Sequence, residues 1–163
     1  MLTLEQMVVR FLIAIVLGAV LGVERELVGK EEAGIRTELL VAAGAAIFAM
    51  IGISLPYIVS AGSGNVADVI ARNSGFLTVV ANIVVGIGFL GAGIIMKDNG
   101  RPHGITTAAL VWATAAIGIL VGIGLTAFAT IAALFLAIVL YALRNTDIAA
   151  RHMGKNAERG NNA

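Results

Sequence analysis

Cysteine is absent from this 163-residue chain, which excludes disulfides, thiolate nucleophiles and zinc–thiolate sites. Charge is sparse too: 13% of residues are Asp, Glu, Lys or Arg, and the net charge is +1. So small a balance offers no footprint for a nucleic acid, and none is expected as a partner. What fills the chain is apolar: 59% of it is hydrophobic, with a mean hydropathy of +0.96. An ordinary soluble domain is thereby excluded, and an integral membrane protein of one domain is indicated.

The stretch Gly86-x-Gly88-x-x-Gly91 spells a dinucleotide-binding fingerprint, but it lies inside an apolar run from Gly75 to Met96 with no βαβ unit around it. As a membrane helix, the run places Asn82, Gly86, Phe89 and Gly93 on one face and Gly88 and Gly91 on the other. Glycine on both faces predicts close packing on two sides, so this helix is expected to be the wedge at the centre of the bundle.

Hydropathy and breakers predict five transmembrane helices, at about 7–23, 39–55, 75–96, 105–121 and 125–143. Between Gly104 and Leu143 there are 40 residues without a charge, about 60 Å of helix, or two crossings of a core of about 30 Å. Gly118, Gly122 and Gly124 place the reversal near 121–124. Gly18 and Gly22 form a small-xxx-small pair on the first helix, and Ala42, Ala46 and Ala49 a small face on the second. Thr107, Val111, Thr114, Gly118 and Gly122 share a face of the fourth helix. Residues 24–38 read as a charged loop with Thr37 capping the second helix, Pro56 as that helix's end, and 67–71 as a short interfacial helix. The first apolar run lacks the pattern of a cleaved signal peptide and is expected to be retained. The fold class is therefore all-α: a compact bundle of five transmembrane helices.

Lys and Arg set the orientation. Arg25, Lys30, Arg36, Lys97, Arg101, Arg144, Arg151, Lys155 and Arg159 fall on one side, and Arg10 and Arg72 on the other. The N-terminus is expected outside and the C-terminus, with a disordered tail over 144–163, in the cytoplasm.

No ionisable residue falls in the core of a predicted span, which weighs against an ion carrier. The polar groups at membrane depth are Asn82, Thr106, Thr107 and Thr114. Charge gathers instead at a cytoplasmic rim of Glu24, Arg25, Glu26, Arg36, Thr37, Glu38, Asp98 and Arg101. Such a rim can anchor helix ends, sense a cation or dock a partner. No motif demands a cofactor. Glu24, Glu26, Glu38 and Asp98 are the candidate ligands for a metal ion. Catalysis is not expected: Ser54, Ser60, Ser63 and Ser74 fall on the opposite side of the membrane from His103.

Gly22-Val23-Glu24-Arg25-Glu26, Ala33-Gly34-Ile35-Arg36-Thr37, the block from Gly86 to Gly93, and Gly104-Ile105-Thr106-Thr107-Ala108-Ala109 with Trp112 resemble the MgtC/SapB family of bacterial inner-membrane proteins. The resemblance covers roughly residues 10–143, the membrane domain only, without the soluble C-terminal domain of longer members. It implies a five-span protein of the inner membrane, linked to magnesium homeostasis, adaptation to stress and, in some members, modulation of the ATP synthase. Many members carry Arg and Gln where Thr78 and Asn82 stand here. The expected function is regulation of a membrane partner through the spans or the cytoplasmic rim. A transporter or channel for Mg2+ or another small solute is the alternative. Homo-oligomerisation is compatible with both.

Overall fold

A computed structural model describes residues 2–27, 33–60, 75–98 and 101–161, with side chains over 2–27, 33–58, 75, 77–96 and 102–143. The order is α1 (Leu4–Leu27), α2 (Ile35–Ser60), α3 (Gly75–Ile94), β1 (Met96–Asp98), β2 (Arg101–His103), α4 (Ile105–Ile123) and α5 (Thr126–Asn161). Five helices are long and apolar enough to cross a membrane: Leu4–Leu27, Ile35–Ile58, Leu77–Ile94, Ile105–Ile123 and Thr126–Leu143.

The centre of the bundle is α2, not α3. Gly18 of α1 lies so close to α2 that a Cβ there would stand 2.6 Å from the Glu38 carbonyl oxygen, and one on Gly22 would stand 2.5 Å from Ile35 Cα. From the other side, Gly118 of α4 rests on the Ala42 carbonyl and Gly122 on that of Ala46, with Ala45 and Ala49 beside them. Both clasping helices carry Gly-x-x-x-Gly, and α2 answers with alanine. Without a hydrophobic drive between helices in lipid, this backbone-to-backbone approach supplies the dispersion contacts that hold them. Ala14, Leu17, Leu21, Leu110, Ile117 and Val121 complete the core, with Ala129 and Ala133 of α5 packed from the far side.

The expected central wedge is thereby corrected. Helix α3 is the least enclosed of the five. Gly86, Gly88 and Gly93 face open space, and a Cβ on Gly91 would meet Ala108 at an ordinary 3.6 Å. Glycines make a helix thin but do not summon a neighbour. The apolar side chains around them, with Phe89 85% exposed, are turned outward instead. Ile83, Ile87 and Ile94 seat α3 against Val41, Ala45, Val111 and Ala115.

Boundaries differ as well. Helix α1 continues through Glu24 and Arg25 to Leu27, and α2 begins at Ile35. Thr37 therefore lies inside the first turn rather than capping it, and its N–H bonds to the Gly34 carbonyl at 3.1 Å. Pro56 does not end α2, which runs on to Ser60. Between α3 and α4 the expected turn is a hairpin pairing Met96 with His103, Lys97 with Pro102 and Asp98 with Arg101. Gly104 closes it at φ 81°, a left-handed value that glycine adopts without strain. Gly124, at φ 98°, ends α4: its N–H reaches the Val121 carbonyl and the Leu125 N–H that of Leu120, a Schellman cap that produces the reversal. Helix α5 extends through 144–161 to Asn161 where disorder was expected. That segment contains no proline and repeats good helix formers such as Ala and Arg, so the apolar span propagates outward. The proposed interfacial helix at 67–71 lies outside the described residues.

Candidate functional site

The end of the bundle where α1 stops and α2 and α4 start holds a buried polar cluster. Parallel packing of α2 and α4 sets its register. Gly122 lies at Ala46 and Gly118 at Ala42, so four residues earlier Thr114 lies at Glu38. Antiparallel packing of α1 brings Gly18 to Glu38 and Gly22 to Ile35, which carries Glu24 and Arg25 to the same end. Glu38, Thr107 and Thr114 have no exposed surface, and Glu24 and Arg25 are nearly as buried, at 5% and 4%.

Within the cluster the partners are unequal. The Arg25 guanidinium donates to the Glu24 carboxylate, forming a buried ion pair. Glu38 lies beside Thr114 and within electrostatic reach of Arg25. Even so, neither carboxylate oxygen of Glu38, nor the hydroxyl of Thr114 or Thr107, has geometry that closes a hydrogen bond. Among the described residues, then, the cluster combines two carboxylates, one guanidinium and the Thr114 hydroxyl. Its formal sum, with both carboxylates ionised, is one negative charge.

The structure thus joins residues that the sequence kept apart: Glu24, Arg25 and Glu38 from the rim, and Thr114 from membrane depth; Thr107 is buried nearer the start of α4. Glu38, expected at the rim, falls within the first turn of the span Ile35–Ile58 and is fully enclosed. The cause is that α2 starts four residues earlier than breaker patterns indicate, because Gly22 lets Gly34 and Ile35 come against α1.

Other members of the rim are outside the cluster. Glu26 and Arg36 are exposed, and Thr37 is half-buried. Asp98 and Arg101 pair through the hairpin backbone, and their side chains lie outside the described set. Among the described residues no three Asp, Glu or His side chains converge in the manner of a metal site. Thr106 is exposed. Asn82 is exposed too and lines a cleft of about 470 Å³ between α2 and α3, with Gly44, Phe48, Val79 and Gly86.

At the opposite end, sequence reading missed a contact. Arg10 does not simply reach for the interface; its Nη1 donates to the Gly122 carbonyl at 2.7 Å. The same guanidinium covers Gly124, where a Cβ would stand 2.8 Å from Nη2. The signal was an arginine one turn or two inside a span whose partner helix ends in glycine, but pairing them requires knowing that α1 and α4 touch.

A model of the MgtC family matches residues 11–148, most of the chain. Protein MgtC of Brucella abortus is 39% identical over 131 residues, covering 80% of this chain and 48% of the relative. Protein SrpB of Synechococcus elongatus is 40% identical over 124 residues, covering 71% and 63%. Protein MgtC of Salmonella typhimurium is 38% identical over 117 residues, covering 72% and 43%. The chain spans about half the length of the curated MgtC proteins it matches. No solved structure matches it. With five apolar helices, a matching glycine-rich membrane region and these identities, the chain is a multi-pass membrane protein that belongs to the MgtC family.

Proposed function

We propose that this protein sits in the bacterial inner membrane with its N-terminus outside and its C-terminus in the cytoplasm. There it serves magnesium homeostasis by regulating a membrane partner through its spans and cytoplasmic rim. The orientation rests on the split of Lys and Arg expected from the sequence, nine on one side and two on the other. The link to magnesium and the candidate partner, the ATP synthase, rest on family resemblance.

The observation that carries regulation over conduction is the packing beyond Glu38. On the way to the other end of the bundle, Gly18, Gly118 and Gly122 are in backbone contact with α2, and Ala42, Ala46, Ala49 and Val121 are fully buried between the helices. An ion leaving Glu38 in that direction would have to part close-packed helices, while Glu26 and Arg36 stand exposed at the rim. One observation favours the alternative of transport: a buried carboxylate inside a span is what carriers use.

The test is complementation of growth in low magnesium, scored with expression level. Reversal of the exposed pair, Glu26→Lys with Arg36→Glu, abolishes growth while the protein accumulates normally. Glu24 and Arg25 are unsuitable for reversal because they are buried together. Full activity of the exposed double variant, with loss in Thr107→Val, overturns the regulatory reading.

A further inference from the structure

We propose that α3 is a dimerisation helix. The α3 of a second copy of this chain lies in the cleft between α2 and α3, parallel to its counterpart across a two-fold axis along the membrane normal. The inference goes beyond the regulatory reading and does not depend on it.

The first ground is an amide out of water. Asn82 lies five residues inside the span Leu77–Ile94, about 7.5 Å along the helix. It is exposed and lines the cleft, so it opens on lipid. Among the described residues no hydrogen bond reaches its side chain. An unpaired amide is costly in hydrocarbon, and an acyl chain has no donor or acceptor to offer it. A second amide matches it fully, since each has a carbonyl that accepts and an NH2 that donates. All copies share one topology, so every Asn82 stands at the same depth. A two-fold axis then brings two such amides together, each donating to the other.

The second ground is shape. Asn82, Gly86, Phe89 and Gly93 are spaced four, three and four residues apart, the seam of two helices that cross at a shallow angle, and all four are exposed. In such a parallel pair, Phe89 is a knob whose hole is framed by Gly86 and Gly93 of the other copy. The knob stands free, with Phe89 85% exposed, and the hole is wide, since a Cβ on either glycine would meet nothing within 4 Å. One face thus carries both a projection and the hollow that receives it. A stripe of glycines alone would fit many helices; the amide and the Phe89 knob select this one.

The cleft supplies the seat. Gly44 of α2 also faces open space, and with Gly86 it lines the cleft of about 470 Å³. A helix entering there approaches the backbones of α2 and α3 together, the close contact on which association in lipid relies. It covers the helix that the protomer encloses least.

The experiment uses the full chain with single cysteines, reconstituted into phosphatidylcholine–phosphatidylglycerol liposomes at a series of protein-to-lipid ratios. On oxidation with copper phenanthroline, Gly86→Cys and Gly93→Cys crosslink to a species of twice the monomer mass. Gly88→Cys, equally open but on another face, stays monomeric. Energy transfer between copies labelled at Asn156→Cys gives the dimerisation constant. Asn82→Leu weakens it about 3–30-fold, the worth of interhelical hydrogen bonds in lipid. Phe89→Ala weakens it as well, and Asn82→Gln, which keeps the amide, retains it. Circular dichroism verifies that each variant keeps the parental helix content. Monomer at every ratio overturns the proposal and leaves the cleft to lipid. Crosslinking at Gly88→Cys equal to that at Gly93→Cys also overturns it, as does undiminished dimerisation in Asn82→Leu. In native membranes, crosslinks from Gly93→Cys only to a protein of different mass would assign the cleft to another partner and overturn it too.

Discussion

Arg10 Nη1 lies 2.7 Å from the carbonyl oxygen of Gly122, tying the N-terminal half of α1 to the last turn of α4. The final carbonyls of a helix have no partner within it, and the helix dipole makes that end negative, so a guanidinium there answers both. The Schellman turn at Gly124 passes directly beneath the guanidinium. One side chain thus fixes where α4 stops and where α5 begins.

Arg10→Met keeps the apolar stem and removes the donors. It should lower stability by about 1–2 kcal/mol, seen as an earlier unfolding midpoint in detergent. Gly124→Ala should be worse, because it adds left-handed strain to a collision with the guanidinium. A parental midpoint in both variants would show that the tie contributes nothing.

The clasp on α2 makes a contrast between glycines that look alike in sequence. Gly18→Leu and Gly118→Leu each drive a side chain into the α2 backbone and should cost at least about 1–3 kcal/mol, or abolish folding. Gly88→Leu meets open space and should melt like the parent. Thermal unfolding of the three variants checks the order. Loss of folding in Gly88→Leu with tolerance at Gly118 would restore α3 to the centre.

Five spans, their approximate places and the small faces of α2 and α4 were legible in the sequence, because apolar length and 3.6-residue periodicity are local properties. Thr107, Thr114, Gly118 and Gly122 lie on the buried face that their spacing indicates. Which glycine helix is central was not legible. Gly118-x-x-x-Gly122 and Gly86-x-Gly88 differ in what faces them, and that is set by helices distant in sequence. The polar cluster was legible as residues but not as a site. Glu38 looked like rim because charge usually ends a span, and only the Gly22–Ile35 approach draws it inward. The hairpin was missed although two residues, Asn99 and Gly100, separate Asp98 from Arg101, and Asn-Gly is a strong hairpin signal.

Topology is open to direct measurement because the chain has no cysteine of its own. In spheroplasts, Ser63→Cys should react with an impermeant maleimide and Asn156→Cys should react only after lysis. Labelling of Asn156→Cys in intact spheroplasts, with protection of Ser63→Cys, would reverse the orientation.

The central claim is that this bundle regulates and does not conduct, and ion uptake into liposomes containing only this protein tests it most directly. With Na+ or Mg2+ outside, uptake should equal that of protein-free liposomes, for the parent and for Glu38→Gln alike. Saturable uptake by the parent that disappears in Glu38→Gln would contradict the account and make the buried carboxylate a station on a transport path.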